Sequence, residues 1–516
     1  MSALAGTMAL VLSLPIFPTQ DGAVHLYYVD VVRSLLSHAN TYGRYFEIRA
    51  LLTPYSFQYY LTLALETVFS PAMSEKVLVC IYIACFGWSF KYLVESVTEH
   101  IGGWSLTAMP FCLHSLVYAG SFNYPFGVTF AVFLSGYWIR WQDQLPIKRI
   151  AILACGLILL LLTHPIPVMV FLLLIGLYLA VELLRSWPAP LRGRERKLVV
   201  FAGMAVMTTI WIASFLATPR VPSPNPTAGA GMREWIVTAV TELKLWPIAP
   251  ITSGAFRFSL IATLSVAVAA LLVAVVRGWR VVLSPRVAAL FVTSLACFFL
   301  YVFLPEWING AAHFRERFPI FFVLLMLAAA AAAAPSVRWS YVPAAVALVA
   351  TCCTLGLQWQ RMSKIAADLR PVLSVEIAKP LAAGVILEER NPPDPDLGFD
   401  PYIWAGAHVF RQSHAILLNT PWLDLPFYML RPAHAGPWDF LDPYPETTYV
   451  SSQGARPAPR LDFAVRVGGD VASGRMDSVA RTHCLSLANR VGERLAVYTR
   501  GAAETGSCDT GSKVMQ

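Results

Sequence analysis

An aspartate and a histidine, Asp21 and His25, stand one helical turn apart in the segment Gln20-Asp21-Gly22-Ala23-Val24-His25-Leu26. That spacing puts both side chains on one helix face. A carboxylate beside an imidazole can accept, hold or pass a proton near neutral pH. Thr19 has the side chain of an N-cap for this helix, and Asp30 falls on the opposite face. Spacing alone serves a plainer reading equally well: a first-turn carboxylate favoured by the helix dipole, with His25 at an interface.

Three further places carry polar groups beside long apolar runs. Asn123, in Gly120-Ser121-Phe122-Asn123-Tyr124-Pro125, could bind a ligand hydroxyl or simply shape a turn. His164 ends an apolar block and is followed by Pro165, which stops a helix. Arg315 and Arg317 flank Glu316 just before another apolar block. Arginine binds phosphate well, through charge-assisted and often bidentate hydrogen bonds. Pairing with Glu316, Glu306 or lipid head groups is the other use for such residues.

The elements that must position these groups are membrane spans. The chain is 57% hydrophobic and only 14% charged over 516 residues, against about 25% charged in soluble proteins. Its apolar residues come in blocks long enough to cross a hydrocarbon layer of about 30 Å, and helices satisfy their own backbone there. The expected spans are Ala3–Phe17, Val77–Val94, Trp104–Ala119, Phe126–Arg140, Ile150–Leu162, Pro167–Leu184, Leu198–Ala217, Phe256–Val276, Val287–Leu304, Phe318–Ala334 and Ser340–Leu357. The net charge of +8 is carried largely in short loops, which argues for membrane orientation and against a nucleic-acid partner.

Positive charge marks alternate loops: Arg140 with Lys148 and Arg149, the run from Arg185 to Lys197, Arg277 to Arg286, and Arg338. The positive-inside rule places these in the cytoplasm. Asp21, Asn123, His164, Arg315 and Arg317 then share the outer face. Pro54–Phe69, rich in tyrosine and phenylalanine, would break the alternation as a span, so it is expected to lie on the outer leaflet.

Beyond Gln358 the composition changes. Short apolar runs at Gly384–Glu388, Ala415–Leu418, Phe463–Arg466 and Leu495–Tyr498 read as strands, with helical stretches at Tyr402–Ser413 and Asp477–Arg490. Seven of the nine cysteines lie in apolar blocks, while Cys484 and Cys508 could pair if the tail is in an oxidising compartment. The expected architecture is a polytopic α-helical membrane protein with about eleven transmembrane helices. Residues 1–357 form the membrane domain, 18–76 its outer loop with juxtamembrane helices, and 358–516 a small extracytoplasmic α/β domain.

The Asp21–Leu26 opening, Thr163-His164-Pro165 and Arg317-Phe318, together with the alternation of spans and the outer tail, resemble the GT-C class of integral-membrane glycosyltransferases. The resemblance covers residues 1 to 357 in architecture. It implies a multi-pass protein of the inner (plasma) membrane that transfers a sugar from a polyprenyl-phosphate donor to an acceptor on the outer face. Asp21 would be the base, with His25 beside it. Arg315, Arg317 and His164 would bind the donor phosphate, and Asn123 the substrate. A lipid-linked glycan carrier, or a non-catalytic envelope protein, is the other reading. Many members of the class carry paired acidic residues in the first loop, where Gly22 follows Asp21 here. No metal ligand set is legible, and a divalent cation is left open. The sugar and the acceptor are not encoded in any motif.

Overall fold

The computed structural model describes residues 2–37, 42–98 without 44, 102–186, 194–216, scattered positions from 261 to 281, 283–304 and 314–375 without 335. In the tail it describes 377, 382–388, 402–417 without 403, 430–432, 462–467, 485–491 and 495–500. About half of the expected span Phe256–Val276, the stretch 218–255, His313, Cys484 and Cys508 lie outside the described residues.

The chain begins with α1 (Ser2–Ser13), α2 (Gly22–Leu36), the short strand β1 (Phe46–Ile48), α3 (Ser56–Leu65) and α4 (Pro71–Val97). Next come α5 (Ser115–Tyr118), α6 (Asn123–Trp141), α7 (Ile147–Thr163), α8 (Pro165–Arg185) and α9 (Glu195–Leu216). After the sparsely described segment follow α10 (Pro285–Phe303), α11 (Pro319–Ala333) and α12 (Tyr341–Leu369). Proline opens α4, α8, α10 and α11, where its missing N–H costs nothing and its fixed φ suits the first turn. Among the described residues six helices are long and apolar enough to cross a membrane. α11 is apolar and buried along nearly its whole length, so it runs through the centre of the bundle. α6 crosses α4 so closely that a Cβ on Gly136 would come within 2.9 Å of the Leu93 α-carbon, as small residues permit between membrane helices.

The expected span Trp104–Ala119 is not a continuous helix. It is built from two 3-10 turns, Gly102–Leu106 and Met109–Phe111, and the single turn of α5. Gly103 N–H donates to Ser340 Oγ (2.8 Å) at one end of the bundle, and Ala119 C=O meets Asp21 N–H (3.0 Å) at the other. The segment therefore crosses as interrupted backbone. That is tolerated at membrane depth only where other protein surrounds it, and these residues are nearly all buried.

The loops sort to two ends as the charge pattern requires. At one end Lys197 Nζ bridges Asp143 (2.6 Å) and Glu182 (2.8 Å), and Arg185 donates to Leu283 C=O (3.1 Å). The first loop, the 119–125 corner, the 163–165 corner and the Arg315–Arg317 turn gather at the other end. α3 is a ten-residue helix, about 15 Å long and too short to span. It does more than rest on the surface, because Ser56, Gln58, Tyr59 and Thr62 are buried.

The tail forms a five-stranded sheet in the order β3-β2-β5-β7-β6. Its strands are β2 (Ala383–Glu388), β3 (Ile416–Leu417), β5 (Phe463–Val467), β6 (Leu485–Val491) and β7 (Leu495–Arg500), with α13 (Ala407–Gln412) beside them. β2 pairs parallel with β3 and β5, and β7 antiparallel with β5 and β6. The expected helix Asp477–Arg490 is corrected over its end: residues 485–491 are strand. Most of the β6 side chains are exposed, so backbone pairing to β7 and not apolar patterning makes it a strand. A separate strand, β4 (Leu430–Pro432), pairs antiparallel with β1 of the first loop, which puts tail and first loop on the same end.

Candidate active site

The first loop is pinned before it becomes helical. Gln20 and Asp21 N–H donate to Tyr118 and Ala119 C=O at 2.9 and 3.0 Å. Asp21 itself is the N-cap residue of α2, and its side chain makes no capping hydrogen bond. Thr19, expected to cap, instead donates its hydroxyl to Glu75 Oε1 of α4 at 2.9 Å. A Cβ on Gly22 would lie 2.0 Å from that same Glu75 oxygen. The structure thus brings a second buried carboxylate, which spacing did not reveal, against the backbone beside Asp21. Lys76, its neighbour, donates to Leu12 and Leu14 C=O (3.3 and 2.9 Å) and so secures the carbonyl end of α1.

His25 lies one turn into α2, as spacing requires. Its Nδ1 is 3.1 Å from the hydroxyl of Tyr59 on α3. Burial pushes the imidazole down to about 3, so it is neutral at physiological pH. Burial raises the Tyr59 phenol above its ordinary range, and the charge of Asp21 raises it further. Asp21, His25 and Tyr59 therefore form one buried group.

One turn earlier, Tyr55 caps α3 with φ at +68°. A tyrosine held in that left-handed conformation stores on the order of 1 kcal/mol or more of strain. Its N–H donates to Thr163 C=O (3.1 Å), and its hydroxyl lies 3.0 Å from His164 Nε2. His164 Nδ1 accepts from Ile166 N–H at 3.1 Å and caps α8. The proton of the neutral ring is thus on Nε2, donated to Tyr55. Burial, and then the charge of Arg317, hold His164 well below its usual value. Arg317 reaches the Tyr55 hydroxyl, and its carbonyl accepts from Tyr124. Arg315 shares the same 3-10 turn and is half-buried.

Asn123 is spent on the scaffold. Its Oδ1 accepts from Gln58 N–H (2.8 Å) and its Nδ2 donates to Tyr55 C=O (2.7 Å) and Gln58 Oε1 (3.2 Å). α3 is thus the common support: Tyr59 meets His25 and Asp21, Gln58 meets Asn123, and Tyr55 meets His164 and Arg317. Sequence reasoning missed Tyr55 and Tyr59. The available signal was two tyrosines four apart in a segment too short to span. Among the described residues no three His, Cys, Asp or Glu side chains gather as a metal-binding group.

Buried neutral histidines make folding pH-dependent. Both folded pKa values are depressed, so below about pH 6.5 the unfolded chain takes up protons that the folded chain refuses, and stability falls as pH falls. Each such histidine contributes up to about 1.4 kcal/mol per pH unit. Thermal unfolding in detergent should therefore show a midpoint that drops between about pH 6.5 and pH 5, with a flatter slope in His25→Gln. A slope in His25→Gln equal to that of wild type contradicts the neutral assignment of His25.

No family model matches the chain, and no curated protein matches it in sequence. In three dimensions it is similar to the crystal structure of ArnT from Cupriavidus metallidurans bound to undecaprenyl phosphate. The TM-score is 0.50 at 12% identity, over 98% of both chains. It is also similar to the cryo-EM structure of the arabinofuranosyltransferase AftD from Mycobacteria, with TM-score 0.47 and 14% identity over 97% of this chain and 40% of that one. The chain is a multi-pass membrane protein that shares its fold with that ArnT structure.

Proposed function

We propose that this protein transfers a sugar from a polyprenyl-phosphate donor to an acceptor hydroxyl at the extracytoplasmic face of the inner membrane. The observation that carries the reading is the convergence on α3 of a carboxylate group at Asp21 and a cationic group at Arg317. The ArnT structure, with which the fold is shared, is bound to undecaprenyl phosphate, and a phosphate leaving group needs such a cation.

In an inverting displacement the Asp21 carboxylate takes the proton of the acceptor hydroxyl. The acceptor oxygen forms its bond to the anomeric carbon while the bond from that carbon to the phosphate oxygen breaks. The electron pair leaves with the phosphate, whose charge Arg317 and Arg315 stabilise. His25, neutral and bonded to Tyr59, orients the acid–base group. His164 acts through Tyr55, which it holds beside Arg317. Asn123, in this reading, contributes to substrate binding by fixing α3.

Incubation of purified protein with a panel of radiolabelled polyprenyl-phosphate sugars tests the assignment. Release of free carrier phosphate with a glycosylated product is the expected result. Movement of intact lipid-linked sugar across vesicles without bond cleavage would replace the transferase by a carrier. Arg317→Ala should weaken donor binding more than about tenfold, the loss of a charge-assisted contact of about 1.5–3 kcal/mol. Unchanged affinity would return Arg317 to pairing with lipid head groups.

A further inference from the structure

α2 and α3 are held together at two places. Their near ends meet at Asp21, His25 and Tyr59. Their far ends meet at a cluster of four charges, in which Asp30 and Arg33 come from α2, Glu66 caps α3, and Arg411 comes from α13 of the tail. Arg411 Nε lies 2.9 Å from Asp30 Oδ2, and its Nη2 donates to Asp30 Oδ1 at 3.3 Å. The same Nη2 is 3.6 Å from Glu66 Oε1. Arg33 pairs with both carboxylates as well, at 3.3 Å to Asp30 and directly to Glu66. The Glu66 side chain is 1% exposed, and those of Asp30 and Arg411 are 12% exposed.

We infer that Arg411, carried by the C-terminal tail, is a positioning residue for the Asp21–His25–Tyr59 group, because it closes the far ends of the two helices whose near ends build that group. The inference rests on the proposed function for its catalytic meaning, though not for its geometry. Two carboxylates, one on each helix, converge here. With both arginines present the charges balance. Without Arg411 a single arginine, Arg33, faces two carboxylates in a buried place, and repulsion drives α2 and α3 apart. A helix transmits that displacement rigidly. Asp30 lies about 13 Å along α2 from Asp21, and Glu66 about 10 Å along α3 from Tyr59, at about 1.5 Å per residue.

The tail reaches the first loop at two more places, once on α2 and once on β1. The Tyr27 hydroxyl donates to Ala415 C=O (3.3 Å) and accepts from Leu417 N–H (3.1 Å). β1 and β4 pair in the register Phe46 to Pro432, Glu47 to Arg431 and Ile48 to Leu430. The guanidinium fork suits a site that must hold Asp30 at two oxygens and still reach Glu66, which a lysine ammonium cannot reproduce.

The test compares full-length wild type, Arg411→Met and the charge swap Asp30→Arg/Arg411→Asp in lipid nanodiscs, by hydrogen exchange and by turnover. Amides 22–28 and 56–60 should exchange at least about tenfold faster in Arg411→Met and return towards wild type in the swap. The kcat should fall at least about tenfold with donor KM changed by a smaller factor, because Arg315 and Arg317 stand on a separate element. If Arg411→Met does not fold, Arg411→Lys, which keeps the charge and loses the fork, is read in its place. Wild-type exchange in the Arg411 variant overturns the inference, and so does faster exchange with unchanged kcat. If the wild type turns over no lipid-linked donor, the proposed function fails, and exchange in the variant and the swap alone decides whether Arg411 positions the group.

Discussion

Asp21→Asn should lower transfer at least about 10²-fold, the lower end for losing a general base, while the protein folds and binds donor as before. The local structure explains why this substitution is clean. Asp21 is held by its backbone: its N–H donates to Ala119 C=O and its C=O accepts from His25 N–H, both at 3.0 Å. The side chain makes no capping hydrogen bond, so an isosteric amide removes the charge and leaves the cap geometry. The Gln20 amide, 3.4 Å from Oδ1, finds the Asn carbonyl equally well. A carboxylate serving only the helix dipole would be worth well under ~1 kcal/mol at this position, and its loss would leave kcat nearly intact. Steady-state turnover with a productive donor separates the two. A near-wild-type kcat for Asp21→Asn removes Asp21 from the chemistry. Tyr59→Phe is the companion variant: it deletes the hydroxyl partner of His25 and should lower kcat by a smaller factor than Asp21→Asn.

Much of this arrangement was legible in the chain. Blocks of apolar residues and alternating basic loops placed Asp21, His164, Arg315 and Arg317 at one end of the bundle, and that end is where they meet. Short apolar runs located β2, β3, β5 and β7. What stayed hidden depends on contacts distant in sequence. Composition marks 104–119 as a span because its residues are apolar and buried, yet burial among other helices lets the backbone break into 3-10 turns that an isolated span could not adopt. Thr19 has the side chain of a cap but finds Glu75, more than fifty positions later. Leu485–Val491 carries little β pattern and becomes a strand through β7. Tyr55 and Tyr59 looked like interfacial aromatics because nothing local says that His164 and His25 come to them.

Gly120→Ala should abolish most transfer without touching any catalytic side chain, because Gly120 sets where the first loop sits. Its φ is +81°, a conformation that costs an L-residue about 1–2 kcal/mol. The space is also taken. A Cβ there would lie 2.6 Å from Gly22 N and 3.1 Å from the Asp21 N and C atoms. All three are backbone atoms, so no side-chain rotation relieves the contact, and overpacking of this kind costs roughly 1–3 kcal/mol. The relief available is to push Asp21–Gly22 away from the Tyr118–Ala119 carbonyls that anchor it. On its other side Gly22 already abuts Glu75 and Thr19, so the loop cannot move back without breaking their hydrogen bond. A displacement on the order of 1 Å at a reacting group can cost about 10²-fold in rate. The expected result is a fall in kcat approaching that of Asp21→Asn, with a lowered unfolding midpoint and donor affinity largely kept, since Arg317 lies on another element. Gly356→Ala is the control. Nothing lies within 4 Å of a Cβ at that helical position, and the change should be neutral or stabilising by up to about 1 kcal/mol. If Gly120→Ala turns over like wild type while Gly356→Ala behaves as expected, the position of the Asp21 backbone is not what the reaction requires, and the base must be sought elsewhere in the buried group.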